Sequence, residues 1–417
     1  MGTETAQVRV HQIHTFGSGY QLFGSDFESI RYHGTQRDTV YLFGSEGNDS
    51  FVGNWNSGTI SGNGYQNTVS GVSKTTVLGQ GGNDTAQLTG SSANELITSG
   101  VGQTTLTMGE KYLRATGFED LQVDAGGGYD RLIATGSQLD ETLQVTDQYS
   151  RFDSVTLKRQ FSGIEDAQYY AGGGDDTASL SGGTNGNQFY GYADHSIYQN
   201  GSRSSFLKGF DRTHAYGSTG DLAILFDSQG DDHYIADLAW AQMSGTNFQN
   251  QAIGFGTIIG RSSQGNDVAD LTSYTNSTQL FADTYRATLS VGNYQVRSVG
   301  FAHTQIAGYG VNTTATVMAT NQSESLVVSV SHLELTSGNS SLRISGFNKV
   351  TVDGNGGIDD AVFEQLGQNE SLSYTGNAIH RQGGQMDVVA IGFQSVGGLG
   401  VSLEDEQSIL DQVFSGN

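Results

Sequence analysis

The feature that most constrains this chain is a glycine-rich turn that returns about every 46 residues. The copy at Gly79–Leu88 reads GQGGNDTAQL, and close variants place Asp130, Asp176 and Asp359 where this copy has Asp84. Two further columns share the period: a Gly-Phe or similar pair, and a mostly acidic column eleven residues after the turn aspartates. The first begins at Gly71, Gly117, Gly163, Gly209, Gly254, Gly300, Gly346 and Gly392, and the second contains Asp49, Glu95, Glu141, Asn187, Asp232, Thr278, Glu324 and Glu370. A fixed period of this length marks a repeat architecture.

Within a repeat the apolar residues alternate, as Ala86 and Leu88 do after Asp84. Alternation between Gly, Asn and Ser turns is typical of half-buried strands, about five in each repeat. We therefore predict an all-β fold, a parallel β-solenoid (β-helix) of about nine 46-residue repeats in which residues one repeat apart stack. A β-propeller is the alternative, because a blade has a similar length. One large coil and two turns of about 23 residues both fit the period.

The repeat pattern extends over most of the chain and predicts a single β-solenoid domain over residues 1–403. The remaining residues, 404–417, break the alternation, and their apolar side chains would share one face of a short helix. We predict that this segment caps the last coil, because an uncovered strand edge invites pairing with another chain.

The composition limits the partners and the compartment. With 19 basic and 43 acidic residues the formal charge is −24, which argues against nucleic acid and anionic membrane surfaces as partners. No run is long and apolar enough for membrane insertion. The 417 residues include 60 Gly and no Cys, so disulfides and thiolate metal sites are excluded. An acidic, cysteine-free chain of this kind suits a secreted or cell-surface bacterial protein, and no export signal is present in this chain.

The turn aspartates have two interpretations. Each carboxylate can accept hydrogen bonds from N–H groups of its own glycine turn. Alternatively, the stacked carboxylates repel one another unless they are protonated, screened or bridged by a hard cation such as Ca²⁺, the only cofactor that this pattern suggests. The candidate metal ligands are those where the acid is doubled or the turn is richest in glycine, namely Asp84, Asp130, Asp175, Asp176, Asp231, Asp232, Asp359 and Asp360.

The segment GQGGNDTA at Gly79–Ala86 resembles the glycine- and aspartate-rich repeats of haemolysin-type (RTX-like) secreted proteins. Weaker copies occur at Glu46–Phe51 and Gln229–Tyr234, whereas that family repeats the turn about every nine residues. The resemblance implies calcium bound by turn carbonyls and aspartates. The stretch DLAILFDSQGDDHYIA at Asp221–Ala236, followed by Ile253–Phe255, is similar to the long repeats of large planctomycete-type surface proteins.

We find no sequence pattern that identifies a catalytic centre. His195 and His332 share a phase but lie three periods apart, and Trp55 and Trp240 lie at different phases. We therefore predict a non-enzymatic structural or adhesive module, with calcium as a candidate stabiliser. The alternative is a polysaccharide-acting β-helical enzyme, a lyase or a hydrolase. The predicted partners are polysaccharides, other surface proteins, and further copies of this chain joined end to end.

Overall fold

The protein is all-β in the computed structural model, which describes residues 3–183 and 185–398. These residues form 44 strands and no helix, and therefore no helix that could cross a membrane. The predicted cap over 404–417 lies outside the described residues.

Most strands have four to six residues, which is the length that the sequence pattern indicates. The strands before residue 184 are β1 (Thr5–Arg9), β2 (Gln12–Gly17), β3 (Tyr20–Ser25), β4 (Ser29–His33), β5 (Thr39–Phe43), β6 (Ser50–Asn54), β7 (Ser57–Gly62), β8 (Tyr65–Ser70), β9 (Lys74–Leu78), β10 (Thr85–Ser91), β11 (Leu96–Ser99), β12 (Gln103–Met108), β13 (Lys111–Thr116), β14 (Asp120–Gly126), β15 (Arg131–Thr135), β16 (Glu141–Val145), β17 (Tyr149–Ser154), β18 (Lys158–Ser162), β19 (Asp166–Tyr170) and β20 (Thr177–Ser181).

The strands after residue 184 follow the same pattern. They are β21 (Gln188–Gly191), β22 (His195–Asn200), β23 (Arg203–Lys208), β24 (Arg212–Tyr216), β25 (Leu222–Phe226), β26 (His233–Ala236), β27 (Trp240–Gly245), β28 (Phe248–Ile253), β29 (Thr257–Arg261), β30 (Val268–Ser273), β31 (Gln279–Ala282), β32 (Arg286–Val291), β33 (Tyr294–Val299), β34 (His303–Gly308), β35 (Thr314–Met318), β36 (Ser325–Val328), β37 (His332–Ser337), β38 (Ser340–Ser345), β39 (Lys349–Asp353), β40 (Asp360–Phe363), β41 (Ser371–Thr375), β42 (Ala378–Gln382), β43 (Asp387–Ile391) and β44 (Ser395–Gly398).

The chain divides into two compact units. Of the described residues, the first unit contains 3–183 and 194–214, and the second contains 185–193 and 215–398. Each unit is a β-solenoid built from two sheets, as predicted, and neither is a propeller. The prediction of one domain over 1–403 stays a prediction.

In the first unit, sheet A has the strand order β3-β2-β1-β5-β9-β13-β12-β11-β15-β19-β23-β22. Sheet B has the order β4-β8-β7-β6-β10-β14-β18-β17-β16-β20. In the second unit, sheet C has the order β21-β25-β29-β33-β32-β31-β35-β39-β43-β42-β41. Sheet D has the order β28-β27-β26-β30-β34-β38-β37-β36-β40-β44.

Each repeat supplies five strands in a fixed arrangement. The first and the fifth strand of a repeat join one sheet. The three strands between them form an antiparallel meander that joins the other sheet. In the first unit, β5 and β9 enter sheet A and the meander β6–β8 enters sheet B, whereas β10 and β14 enter sheet B and β11–β13 enter sheet A. The two sheets therefore exchange roles in successive repeats, so one repeat is neither a single large coil nor two equal turns.

This exchange makes one prediction wrong. Parallel neighbours lie 34 or 35 residues apart, as Thr85 and Ser50 do, or 37 or 38 apart across a meander, as Tyr112 and Lys74 do. Residues 46 apart, such as Asp84 and Asp130, instead precede strands of opposite sheets, β10 and β15. The sequence period therefore counts repeats but does not identify spatial neighbours.

The Gly-Phe column marks one type of corner between the sheets. All eight glycines of this column adopt φ between +71° and +86°, a left-handed conformation in which a β-carbon is disfavoured. The following aromatic side chains mostly point into the core: Phe118 is 2% exposed and Phe347 is fully buried. The prediction that these aromatics are core residues is confirmed at these positions.

Candidate functional site

Acidic residues stand immediately before parallel strands at a second type of corner. In the first unit, Asp49, Asp84 and Glu119 precede the neighbouring strands β6, β10 and β14. The backbone N–H of Asp49 donates to Asp84 Oδ1 at 2.8 Å, and the N–H of Asp84 donates to Glu119 Oε2 at 2.7 Å. The corner thus adds hydrogen bonds from side chains to the backbone ladder of the sheet.

The same geometry recurs in both units. We use the term corner pair for two buried acids that lie 35 residues apart, in which the N–H of the first residue donates to the carboxyl group of the second. The five corner pairs are Asp49/Asp84, Glu95/Asp130, Glu141/Asp176, Asp232/Asp267 and Glu324/Asp359, with N–O distances of 2.7–2.9 Å.

The corner pairs are buried, and most of their carboxyl groups have one oxygen without a hydrogen-bond partner. No carboxyl side chain in them is more than 4% exposed. Among the described residues, eight of the ten have one oxygen without a hydrogen-bond partner: Asp84 Oδ2, Glu95 Oε2, Asp130 Oδ2, Glu141 Oε2, Asp176 Oδ2, Asp232 Oδ1, Glu324 Oε2 and Asp359 Oδ2. Two buried carboxylates this close repel strongly, so such a pair needs a proton or a cation.

The pKa values agree with a shared proton. Burial, reinforced by the charge of the partner acid, raises the pKa of Asp84 and of Asp176 to about 6 and that of Asp130 to about 7. Burial also raises the pKa of Asp267 and Asp359. Because the charge of the neighbouring acid is among the causes that raise the pKa of Asp130 and of Asp176, we infer that each such pair holds one proton.

Three corners of the second unit contain no corner pair and avoid the repulsion between buried carboxylates in other ways. At Asn187/Asp221 the Asn187 amide donates to Asp221 Oδ2 at 3.1 Å, and hydrogen bonds from Asn187 and Ser218 outweigh burial and lower the pKa of Asp221. Thr278 and Thr313 form a corner without any charge. At Glu370 the counter-charge comes from Arg381, whose Nη2 lies 2.6 Å from Oε2. Each replacement supplies a donor or removes the charge.

The predicted metal ligands fall into two groups. Five belong to corner pairs and are buried: Asp84, Asp130, Asp176, Asp232 and Asp359. The other three, Asp175, Asp231 and Asp360, are exposed. Asp175 forms an ion pair with Arg212 at 2.7 Å, and Asp231 Oδ1 accepts the N–H of Asn266 at 2.9 Å. The doubled acids therefore point to opposite sides of the corner.

The corner pairs fit a calcium site poorly. Ca²⁺ takes six to eight oxygen ligands. Each pair offers two carboxyl groups, and the described residues contain no group of three or more His, Asp or Glu side chains that could hold a metal ion. Calcium binding by this chain stays a prediction, and a proton accounts for the observed pairs more simply.

The expected role of the turn aspartates is corrected in part. Asp38 does accept the N–H of Thr35 in its own turn, at 2.7 Å. Asp84, Asp130 and Asp176 instead accept their backbone hydrogen bond from the neighbouring strand. The glycine of this turn, Gly79, has a steric role, because a β-carbon at this position would lie 2.3 Å from Asp84 Oδ2.

The sequence prediction missed the partner acids Asp49, Glu95, Glu141 and Glu324 as members of a site. The 46-residue period places them in a column of their own and does not pair them with the turn aspartates. Trp55 adds a hydrogen bond to one of these acids, because this residue is only 8% exposed and its Nε1 donates to Glu95 Oε1 at 3.1 Å.

No family model matches this sequence, and a comparison with curated proteins finds no match.

Proposed function

We propose that this chain is a non-enzymatic structural and adhesive repeat module of a secreted or cell-surface bacterial protein, and that copies of it associate end to end. The observation that carries the proposal is an open, apolar end of the first unit. Acidity, the lack of cysteine and the repeat architecture support the location. Protons, or calcium in their place, neutralise its buried corner pairs.

The open end is the outer strand of sheet A. Strand β3 pairs with β2, and within the described residues its other edge has no partner strand. An unpaired edge presents backbone N–H and C=O groups that can pair with another chain. The strands β13 and β33, which likewise end a meander, each accept a parallel strand, β9 and β29 respectively.

At this end, apolar side chains are exposed at positions whose equivalents on other strands and in other repeats are buried. Leu22 stands in register with Thr15 and Ala6, which point into the core and are 9% and 0% exposed, yet Leu22 is 64% exposed. Phe27 follows Asp26 one period before Gly71, at the phase of the Gly-Phe column, and is 42% exposed, whereas Phe118 is 2% exposed. Among the residues that the structure describes, none covers the core of the first unit at β3, and a strand of the same kind of repeat would cover it.

We expect Leu22→Lys to weaken self-association by at least about tenfold, because the change removes an apolar contact and adds a charge to the edge strand. Sedimentation velocity over a series of protein concentrations measures the association. Val155→Lys is the matched control, since Val155 is 86% exposed in the same unit but does not lie on β3. The control should associate like the wild type.

A wild type that stays monomeric at every concentration, or a Leu22→Lys variant that associates equally well, would contradict the assembly role. Release of reducing ends or unsaturated products from neutral and acidic polysaccharides would contradict the non-enzymatic assignment and favour the polysaccharide-acting enzyme instead.

A further inference from the structure

A pair of stacked tyrosines stands on the surface of the second unit. Tyr274 and Tyr309 follow the neighbouring parallel strands β30 and β34, and their ring centroids lie 5.3 Å apart with an interplanar angle of 13°. The residues are 72% and 65% exposed. Large aromatic side chains are normally buried, so an exposed and stacked pair indicates a binding surface.

The two rings connect two grooves. The larger groove has a volume of about 690 Å³, and Tyr274 and Tyr294 line it together with the apolar side chains of Leu238, Ile253 and Val291. The second groove, of about 380 Å³, lies beside Tyr309 on sheet D. Both volumes fall within the range of small-ligand sites, and together they offer an extended track.

The second groove carries a polar row. Asp270, Gln305 and Arg343 stand in register on the neighbouring strands β30, β34 and β38 and line this groove. The row offers acceptors and donors side by side at about 4.8 Å spacing. Such a mixture suits a ligand that carries many hydroxyl groups, each of which can both donate and accept.

The charges exclude acidic ligands. Among the described residues that line the larger groove none is basic and Asp237 is acidic. In the second groove the one basic residue, Arg343, stands beside Glu334 in the sheet register, and Asp270 adds a further acid. The chain as a whole carries a formal charge of −24, so a polyanion would be repelled.

We propose that these grooves and the Tyr274–Tyr309 pair bind a neutral polysaccharide chain. Tyrosine faces provide flat apolar surfaces for the C–H faces of sugar rings, while the polar row and the tyrosine hydroxyls bind sugar hydroxyls. The two rings already stack on each other without a ligand, which reduces the side-chain entropy that is lost when the ligand binds. This inference names the partner of the adhesive role and rests on that part of the proposed function.

The test is affinity electrophoresis of the full chain through gels that contain dextran, a mixed-linkage β-glucan, xylan, galactomannan or, as acidic comparisons, alginate and polygalacturonate. At least one neutral polysaccharide should retard the protein, and the acidic ones should not. Tyr274→Ala and Tyr309→Ala should each weaken the retardation by about tenfold or more, the loss of one aromatic platform.

Tyr285→Ala is the matched control, because Tyr285 is also 65% exposed in the second unit but lines neither groove. It should bind like the wild type, and thermal unfolding should show that all three variants are folded. Retardation by none of the neutral polysaccharides, retardation by the acidic ones alone, or unchanged binding by Tyr274→Ala would overturn the inference. Self-association through β3 is measured without any polysaccharide, so the two proposals fail separately.

Discussion

Asp130→Asn should make the protein more stable at pH 8 by roughly 2–4 kcal/mol and should reduce the pH dependence of its stability by about one proton. Burial raises the pKa of Asp130 to about 7 in the folded protein, well above the value of about 4 that an unfolded chain has. The stability contributed by this group is therefore present below about pH 4 and is lost as the pH rises through about 7.

An asparagine at position 130 can make the hydrogen bonds of the corner pair without a proton from solution. Its amide oxygen can still accept the N–H of Glu95, as Asp130 Oδ1 does at 2.7 Å, and its NH₂ group can donate to Glu95 Oε2. The corner at Asn187/Asp221 already uses an amide in this way. Urea unfolding at pH 5 and pH 8 measures the difference, and the gain should be clearly larger at pH 8 than at pH 5, where Asp130 of the folded protein is still protonated.

The matched control is Asp124→Asn in the same unit. Asp124 is exposed and its Oδ1 accepts the N–H of Gly126, so the change removes a charge but no corner pair. Its stability should change by less than about 0.5 kcal/mol at either pH. If Asp130→Asn lost stability at pH 8 as well as at pH 5, the shared-proton interpretation of the pair would be refuted.

Arg381→Met should destabilise the protein by about 3–5 kcal/mol, because it leaves a buried carboxylate without its counter-charge. Arg381 and Glu370 are 1% and 2% exposed as side chains, and Nη1 of the arginine also donates to the carbonyl of Val328 at 2.9 Å. Although burial alone would raise it, hydrogen bonds from Arg381 hold the pKa of Glu370 below its ordinary value.

Without Arg381 the pKa of Glu370 should rise, so the loss should be smaller at pH 4 than at pH 8, where the unpaired carboxylate stays charged. The double variant with Glu370→Gln should recover part of the loss at pH 8. Arg131→Met is the control, since the Arg131–Asp166 pair is largely solvent-exposed and worth less than about 1 kcal/mol. Equal effects of the two single variants in chemical denaturation would contradict the account.

Much of the fold follows from local rules that the sequence displays. Alternating apolar residues such as Ala86 and Leu88 indicate strands, and the repeated Gly-Phe pair, as at Gly117 and Phe118, reflects a left-handed corner followed by a core aromatic. Both features depend on neighbours in the sequence, which is why the 46-residue period predicts the β-solenoid architecture.

The pairing of strands depends instead on how far the chain travels before it returns to the same sheet. The meanders and the exchange of sheets make that distance 34 or 35 residues, or 37 or 38 across a meander, and no local pattern encodes it. The eleven-residue offset between Asp84 and Glu95 is the one available clue, because 46 − 11 gives the 35 residues that separate Asp49 from Asp84.

The difference between the 46-residue period and the 35-residue separation of neighbouring strands also explains why the Tyr274–Tyr309 pair was not predicted. Tyr274 and Tyr309 stack because they are 35 residues apart, so a search for aromatics with the 46-residue period considers Trp55 and Trp240 and overlooks this pair. Contacts between side chains on different strands therefore could not be predicted from the sequence, whereas the turns and the core could be.

The most direct test of the central claim is a difference titration of the native and the denatured protein in the presence of EDTA. If corner pairs hold protons, the native protein at pH 5.5 should bind about two to three more protons than the unfolded chain through Asp84, Asp130 and Asp176. The raised pKa values of Asp267 and Asp359 act in the same direction, and acids of lowered pKa such as Asp38 and Asp221 act in the opposite direction. Calcium that entered the pairs would expel these protons when EDTA is replaced by the metal. Native and denatured curves that coincide, or a native protein that binds fewer protons, would contradict the claim.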